Sequence, residues 1–262
     1  MKVDFKWIGG ATWVLQADSI KIACDPVLCP EGHVQDYKFF KARRLNDPQY
    51  NGSDFEDVNL WLLTHNHEDH IDKDGFKLID KNSTIVAHEG LRAYFTEDIY
   101  SDIRFLGWDE SSEILADGIS IKIKAMPAIH AKKASMGGMI GNGNGYILNI
   151  IRDSSRYCIY VTGDSVYNSN VKKHIGTSNI DLIIVNAGSA MVGESPLSRT
   201  IGRITNNIRD VIKMNKELNP GTLIPVHWGT FSHYTEKITH GSFSQYHNIK
   251  IVNPGESVNI SR

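Results

Sequence analysis

The chain has 262 residues, 41% of them hydrophobic and 22% charged, an ordinary globular composition with length for one large domain or two small ones. A formal net charge of -2 argues against general electrostatic attraction for nucleic acid or anionic lipid, and no apolar run approaches the roughly twenty residues of a membrane span. Three cysteines are an odd number, which suits a reducing compartment better than a disulfide framework.

Residues 1–7 are charged and lead into no apolar segment with a small-residue cleavage site, so the reading is a cytoplasmic protein without a signal peptide. Residues 3–8, 12–16 and 19–23, split by Gly9-Gly10 and Ala17-Asp18, predict a meander of three strands. Residues 26–54, with Pro30, Gly32, Pro48, Gly52 and many charges, read as a long irregular insertion of the kind that serves function or moves. Its Lys41-Ala42-Arg43-Arg44 cluster reads as a solvated face. Residues 58–63 predict a strand, 73–80 a helix, 84–87 a strand and 89–100 a helix.

Asp117-Gly118 between the β-rich stretches 113–116 and 119–125 marks a hairpin, and 145–151 with 157–161 marks a second. Residues 181–185 read as a buried strand, 199–218 as the longest helix, and 222–226 and 248–252 as further β segments. Each half offers strands and then helices, which predicts an α+β fold over residues 1–262, a single domain of two sheets face to face with helices outside. Cys24, Cys29 and Cys158 lack metal-ligand spacing and read as small buried thiols.

The strongest chemical signal is the run Thr64-His65-Asn66-His67-Glu68-Asp69-His70 after the apolar stretch 58–63. In an extended chain a spacing of two throws His65 and His67 to the same side, and a turn at Glu68-Asp69 swings Asp69 and His70 toward a neighbouring point. One short loop then serves two cations, a reading that its structural context must confirm. Three later residues also follow β-rich runs. His130 comes after 119–126 and Pro127; alone it would be a surface histidine, but two imidazoles need a third donor. Asp164, in Thr162-Gly163-Asp164-Ser165, is either a turn or cap residue or a carboxylate bridging two cations. His227 ends the run 222–226 in Pro225-Val226-His227-Trp228-Gly229. The expectation is His65, His67 and His130 on one ion and Asp69, His70 and His227 on the other, with Asp164 and an activated water between them.

These residues, in this order, resemble the metallo-β-lactamase superfamily across nearly the whole chain. Trp7-Ile8-Gly9-Gly10-Ala11-Thr12, Ala23-Cys24-Asp25-Pro26-Val27-Leu28 and Pro225-Val226-His227-Trp228-Gly229-Thr230-Phe231 are similar to its branch of ascorbate-6-phosphate lactonases and N-acylphosphatidylethanolamine phospholipase D enzymes. The resemblance implies a four-layer αββα sandwich with the metals at one edge of the two sheets. It also gives Asp25 two readings, an inner aspartate that fixes a ligand histidine or a plain turn before Pro26. The flavin domain, C-terminal helical domain and nuclease insert of other members are not recognisable here.

The leading function is therefore a metal-dependent hydrolase acting on a small ester, lactone or phosphodiester, with Asp69 or a metal-bound water handling the proton. Two divalent ions are implied, zinc first, with manganese or iron compatible because no cysteine ligand is present. The alternative of a nuclease of the same fold calls for a basic track, and the net charge of -2 argues against it. A non-catalytic metal-stabilised binding protein would need a closed coordination shell. Lys132 and Lys133, before Gly137-Gly138, offer either an anion-binding loop or a solvated one. His33 and His233 read as incidental histidines bordering the site; no substrate-binding residue and no oligomeric state can be read.

Overall fold

A computed structural model describes residues 1–37, 40–95, 99–130, 141–193 and 201–261. The opening meander forms where alternation and turn residues place it: β1 (Val3–Gly9), β2 (Thr12–Ala17) and β3 (Ile20–Cys24) pair antiparallel in succession. The insertion is not wholly irregular, because Val34–Asp36 (β4) and Lys41–Arg43 (β5) form a small antiparallel hairpin inside it. Its basic cluster is solvated at Lys41 and Arg43 but not at Arg44. Arg44 is 1% exposed, donates to Val27 O and Asn46 O at 2.9 Å each, and lies over the Phe231 ring, so it braces the insertion against the body.

After β6 (Leu60–Leu63), β7 (Thr84–His88) and β8 (Asp102–Leu106), β3, β6, β7 and β8 lie side by side in parallel. With β15 (Ser257–Asn259) beside β1, they complete a seven-stranded sheet in the order β15-β1-β2-β3-β6-β7-β8. The second sheet has six strands in the order β14-β13-β12-β11-β10-β9. These are β9 (Ser111–Ala116), β10 (Ile119–Ile129), β11 (Asn142–Arg152), β12 (Ser155–Val161), β13 (Leu182–Asn186) and β14 (Thr222–Val226). Asp117 and Gly118 both take positive φ, 51° and 73°, as the tight turn between β9 and β10 demands.

Side-chain alternation builds the layers. Phe5, Trp7, Trp13, Leu15, Leu60 and Leu62 of the first sheet meet Ile121, Ile123, Leu148, Ile159, Ile184 and Ile224 of the second in one central core. Many of the residues between them face outward and are buried again. Trp61, Leu63 and Ile85 pack under Phe55, Ile79 and Leu91, while Tyr160, Ile183 and Val185 pack under α2 (Ser169–Ile175) and α3 (Ile208–Leu218). Sheets buried on both faces need continuous apolar strands such as the Leu-Trp-Leu-Leu of β6. The expected α+β αββα sandwich is the observed fold. Among the described residues no helix is long and apolar enough to cross a membrane.

Several elements differ from expectation. The helix expected over 73–80 stops early as α1 (Lys73–Phe76), where Gly75 passes so close to Pro26 O that a Cβ would lie 1.9 Å from it. The one expected over 89–100 is a 3-10 helix at Glu89–Tyr94, and 96–98 lie outside the described residues. α3 starts at Ile208 because Asn207 and Asp210 form a capping box there. Strand β8 was not foreseen, since Asp102 and Arg104 break its apolar pattern at a sheet edge. Residues 248–252 make only a single bridge, Leu223 to Ile249, and the last strand is β15 instead. All three cysteines are buried and free, as read.

Candidate metal centre

The parallel strands of both sheets end at one edge, and every candidate ligand follows a strand end there. The loop after β6 is clamped from the second sheet, with Asn144 N donating to Thr64 O (2.9 Å) and the Tyr146 hydroxyl to Leu63 O (2.8 Å). His70 N and Ile71 N both donate to His67 O at 3.0 Å, closing the turn that separates the histidine pair from Asp69 and His70. Two glycines let the other loops approach. A Cβ on Gly163 would lie 2.5 Å from Asn144 O, and one on Gly188 would lie 2.5 Å from His227 O. His227 and Asp25 themselves hold φ of 62° and 42°, left-handed values that non-glycine residues keep only when the surroundings impose them. His227 N is tied to Gly10 O at 3.0 Å.

Two donor groups result. His65, His67 and His130 form a trio whose ligand atoms lie within 4.8 Å of one another. His65 Nε2 is 2.9 Å from His67 Nδ1 and 3.2 Å from His130 Nε2. Burial, reinforced by neighbouring imidazoles, drives His65 well below the usual histidine range and His130 down to about 3. Both are neutral, with ring lone pairs available.

The second group is a quartet of Asp69, His70, Asp164 and His227, all buried and again within 4.8 Å. His70 Nε2 lies 3.1 Å from Asp164 Oδ1 and 3.2 Å from His227 Nε2, and His227 Nε2 lies 3.4 Å from Asp164 Oδ1 and 3.5 Å from Asp69 Oδ2. Burial opposes charge here too. It is outweighed at both carboxylates by the histidines around them, which hold Asp69 and Asp164 well below the usual carboxylate range, and at His70 by Asp164 and Asp25, which raise it.

A ring of further side chains supports the quartet. Asp25 accepts from Thr64 N (2.8 Å) and Thr64 Oγ1 (2.6 Å) and lies 2.7 Å from His70 Nδ1, contacts that a plain turn before Pro26 does not need. Asn186 Nδ2 donates to Asp164 Oδ1 at 2.8 Å. Sequence reasoning missed Tyr37, Tyr234 and the role of His233. The Tyr37 hydroxyl lies 2.8 Å from Asp69 Oδ1, while His233 Nε2 and the Tyr234 hydroxyl each lie 3.2 Å from Asp69 Oδ2. His233 is therefore not incidental, whereas His33 is exposed. Of the three, only His233 and Tyr234 carried a local signal, their nearness to the His227 motif. Lys132, Lys133 and the rest of 131–140 lie outside the described residues.

The donor set fits divalent cations. Paired imidazole nitrogens facing each other at 3.2 Å need a shared proton or cation between them, and Asp164 Oδ2 is buried with no hydrogen-bond partner among the described residues. Seven nitrogen and oxygen donors in two adjacent groups, with the His65 and His70 rings 4.0 Å apart, match a two-cation site without sulfur.

Comparison with known proteins agrees with this geometry. A family model described as the beta-lactamase superfamily domain matches residues 4–227. The N-acyl-phosphatidylethanolamine-hydrolyzing phospholipase D 1 of Caenorhabditis elegans is 24% identical over 238 residues, 86% of this chain, which spans only 63% of that relative's length. A metal-dependent hydrolase of Pyrococcus horikoshii is 28% identical over 229 residues, covering 87% of this chain and 86% of its own. A crystal structure described as a possible metal-dependent hydrolase from Veillonella parvula superposes with a TM-score of 0.80 at 19% identity, over 98% of this chain and 99% of that one.

Proposed function

We propose that this chain, which belongs to the beta-lactamase superfamily and is a metal-dependent hydrolase, cleaves a small ester, lactone or phosphodiester at a centre of two divalent cations. The observation that carries the reading is the meeting of two donor groups across the His65–His70 turn. His65, His67 and His130 would hold one cation, Asp69, His70 and His227 the other, with Asp164 between them. Zinc suits these donors best, and manganese and iron are compatible. The nematode relative, by its name a phospholipase acting on a phospholipid, is the reason to keep phosphodiesters in the substrate class.

Cations bound there would bring the pKa of a shared water near neutrality and would polarise the substrate oxygen. The chain supplies the rest. Half-buried His67 is the ligand on the open side, so the scissile group approaches over it. Asp69 Oδ2, held ionised beside His227 and His233, accepts the proton of the attacking water and delivers it to the leaving oxygen. Asp25 holds the His70 ring from its Nδ1 side, and the Asn186 amide keeps Asp164 turned toward both His70 and His227.

The test is chelator-stripped protein reloaded separately with zinc, manganese or ferrous iron and assayed on an aryl ester, a lactone and a phosphodiester. Turnover of at least one class is expected, abolished by chelation and by His67→Ala, with fewer cations retained in that variant. No turnover by the fully loaded wild type, or wild-type turnover by His67→Ala, overturns the proposal.

A further inference from the structure

We infer that Tyr37, carried by the 26–54 insertion, is a positioning residue for Asp69 that ties the insertion to one cation position; the inference rests on the two-cation reading above. The insertion does more than cover the site. Its hairpin of β4 and β5 sends two side chains into the backbone turn that holds the ligands. Gln35, 1% exposed, donates from Nε2 to Glu68 O at 2.7 Å. The Tyr37 hydroxyl accepts from Asp69 N at 3.0 Å and lies 2.8 Å from both Asp69 Oδ1 and Gln35 Oε1. One hydroxyl proton cannot serve both oxygens, and a carboxylate is the stronger acceptor, so the proton goes to Asp69 Oδ1.

The consequence is directional. With Oδ1 taken by the tyrosine and the backbone N–H of Asp69 held by the same hydroxyl, the carboxylate is left presenting Oδ2 to His227, 3.5 Å away. With Oδ1 anchored, rotation about the Cβ–Cγ bond is restricted and Oδ2 stays on the quartet side, where His233 Nε2 and the Tyr234 hydroxyl also lie 3.2 Å from it. The tyrosine is itself held by Phe40, stacked at 4.7 Å between ring centroids, and Phe40 in turn packs 5.6 Å from the His233 ring. A tyrosine, an aromatic stack and a buried glutamine converging on one ligand turn are more than an insertion needs merely to rest on the surface. Since the same hydroxyl joins hairpin and ligand, the coupling runs both ways: ordering the hairpin favours cation binding, and cation binding orders the hairpin.

Tyr37→Phe removes one oxygen and keeps the ring that packs on Phe40. Wild type, Tyr37→Phe and Tyr50→Phe, a control at an exposed position of the same insertion, would be stripped of metal and titrated with zinc by calorimetry and by competition with a chromophoric chelator. Hydrogen exchange of β4 and β5 would be followed at each equivalent. The wild type is expected to take two cations. Tyr37→Phe is expected to lose about 10–100-fold in affinity at one of them and to keep the other, as removal of an outer partner of a ligand does. Protection of the hairpin by the second equivalent should disappear in the same variant, while Tyr50→Phe behaves as wild type. Two wild-type affinities in Tyr37→Phe overturn this inference alone. Equal loss at both positions together with a lower melting temperature of the stripped protein also overturns it, by making Tyr37 a packing residue. A wild type that binds no cation overturns the hydrolase reading and this one with it.

Discussion

The two donor groups sit side by side but are built on different principles. The trio of His65, His67 and His130 is positioned through the main chain that carries it: Asn144 N and the Tyr146 hydroxyl hold the carbonyls of Thr64 and Leu63 at the end of β6, and His130 follows directly on β10, with its Nδ1 unpartnered among the described residues. The quartet is positioned by side chains. Asp25 grips His70, Asn186 grips Asp164, and Tyr37, His233 and Tyr234 surround Asp69. Charge follows the same division. Two buried imidazoles of the trio, His65 and His130, kept neutral by burial, stand against two carboxylates and a histidine that stabilise one another's ionised forms. A site with one scaffold of strands and one of hydrogen bonds can vary the second without rebuilding the fold.

The largest way to break this comparison is Asp164→Ala. Asp164 is the only ligand candidate that the proposal places between the two cations, and its loss leaves His70 and His227 without their common carboxylate. Turnover should fall by more than the 10–100-fold typical of an outer partner, and elemental analysis should find about one cation per chain. Two retained cations with near wild-type turnover would mean that the quartet does not depend on Asp164.

A smaller effect separates the groups by acid. In the cation-free protein burial and neighbouring imidazoles keep His65 and His130 unprotonated at neutral pH, so cation entry into the trio displaces no proton from them. At His70, burial favours the neutral ring but Asp164 and Asp25 overcome it and raise its proton affinity, so a cation entering the quartet must displace that proton. Quartet affinity should therefore rise as pH rises, by up to about tenfold per pH unit, until pH passes the raised value of His70, while His65 and His130 add no such dependence to the trio. Calorimetry in two buffers of different ionisation enthalpy counts the protons released at each step. Equal release at both steps would remove the electrostatic half of the comparison.

What was legible in the sequence divides along the same line. The trio and its companions could be read because His65, His67, Asp69 and His70 are local in sequence and because His130, Asp164 and His227 each follow an apolar run that forms a strand. The αββα layering was legible from the same runs. The ring around the quartet was not. Asp69 and His233 are 164 residues apart, and nothing in the neighbourhood of Tyr37 distinguishes it from other insertion tyrosines until the hairpin lands on the ligand turn. Strand β8 was hidden because an edge strand tolerates Asp102 and Arg104, whose ion pair at 2.8 Å exists only once the strand is made. The true start of α3 was written in Asn207 and Asp210, a capping signal that a search for apolar periodicity alone passes over.

The smallest effect tests the backbone scaffold of the trio. The Tyr146 side chain is fully buried, and its hydroxyl is the donor that crosses from the second sheet to Leu63 O, one residue before the ligand loop begins. Tyr146→Phe leaves the ring in the central core but strands that carbonyl, at a cost of about 1–3 kcal/mol. In a chain of this size that is roughly 2–4 °C of melting temperature per kcal/mol. If the trio is held by strands, the loss should be global: a lower melting temperature, both cations still bound, and affinity at the trio changed little, because Asn144 N still clamps Thr64 O. If Tyr146→Phe instead kept its melting temperature and shed one cation selectively, the trio too would depend on a single side-chain hydrogen bond, and the contrast between the two halves of the site would collapse.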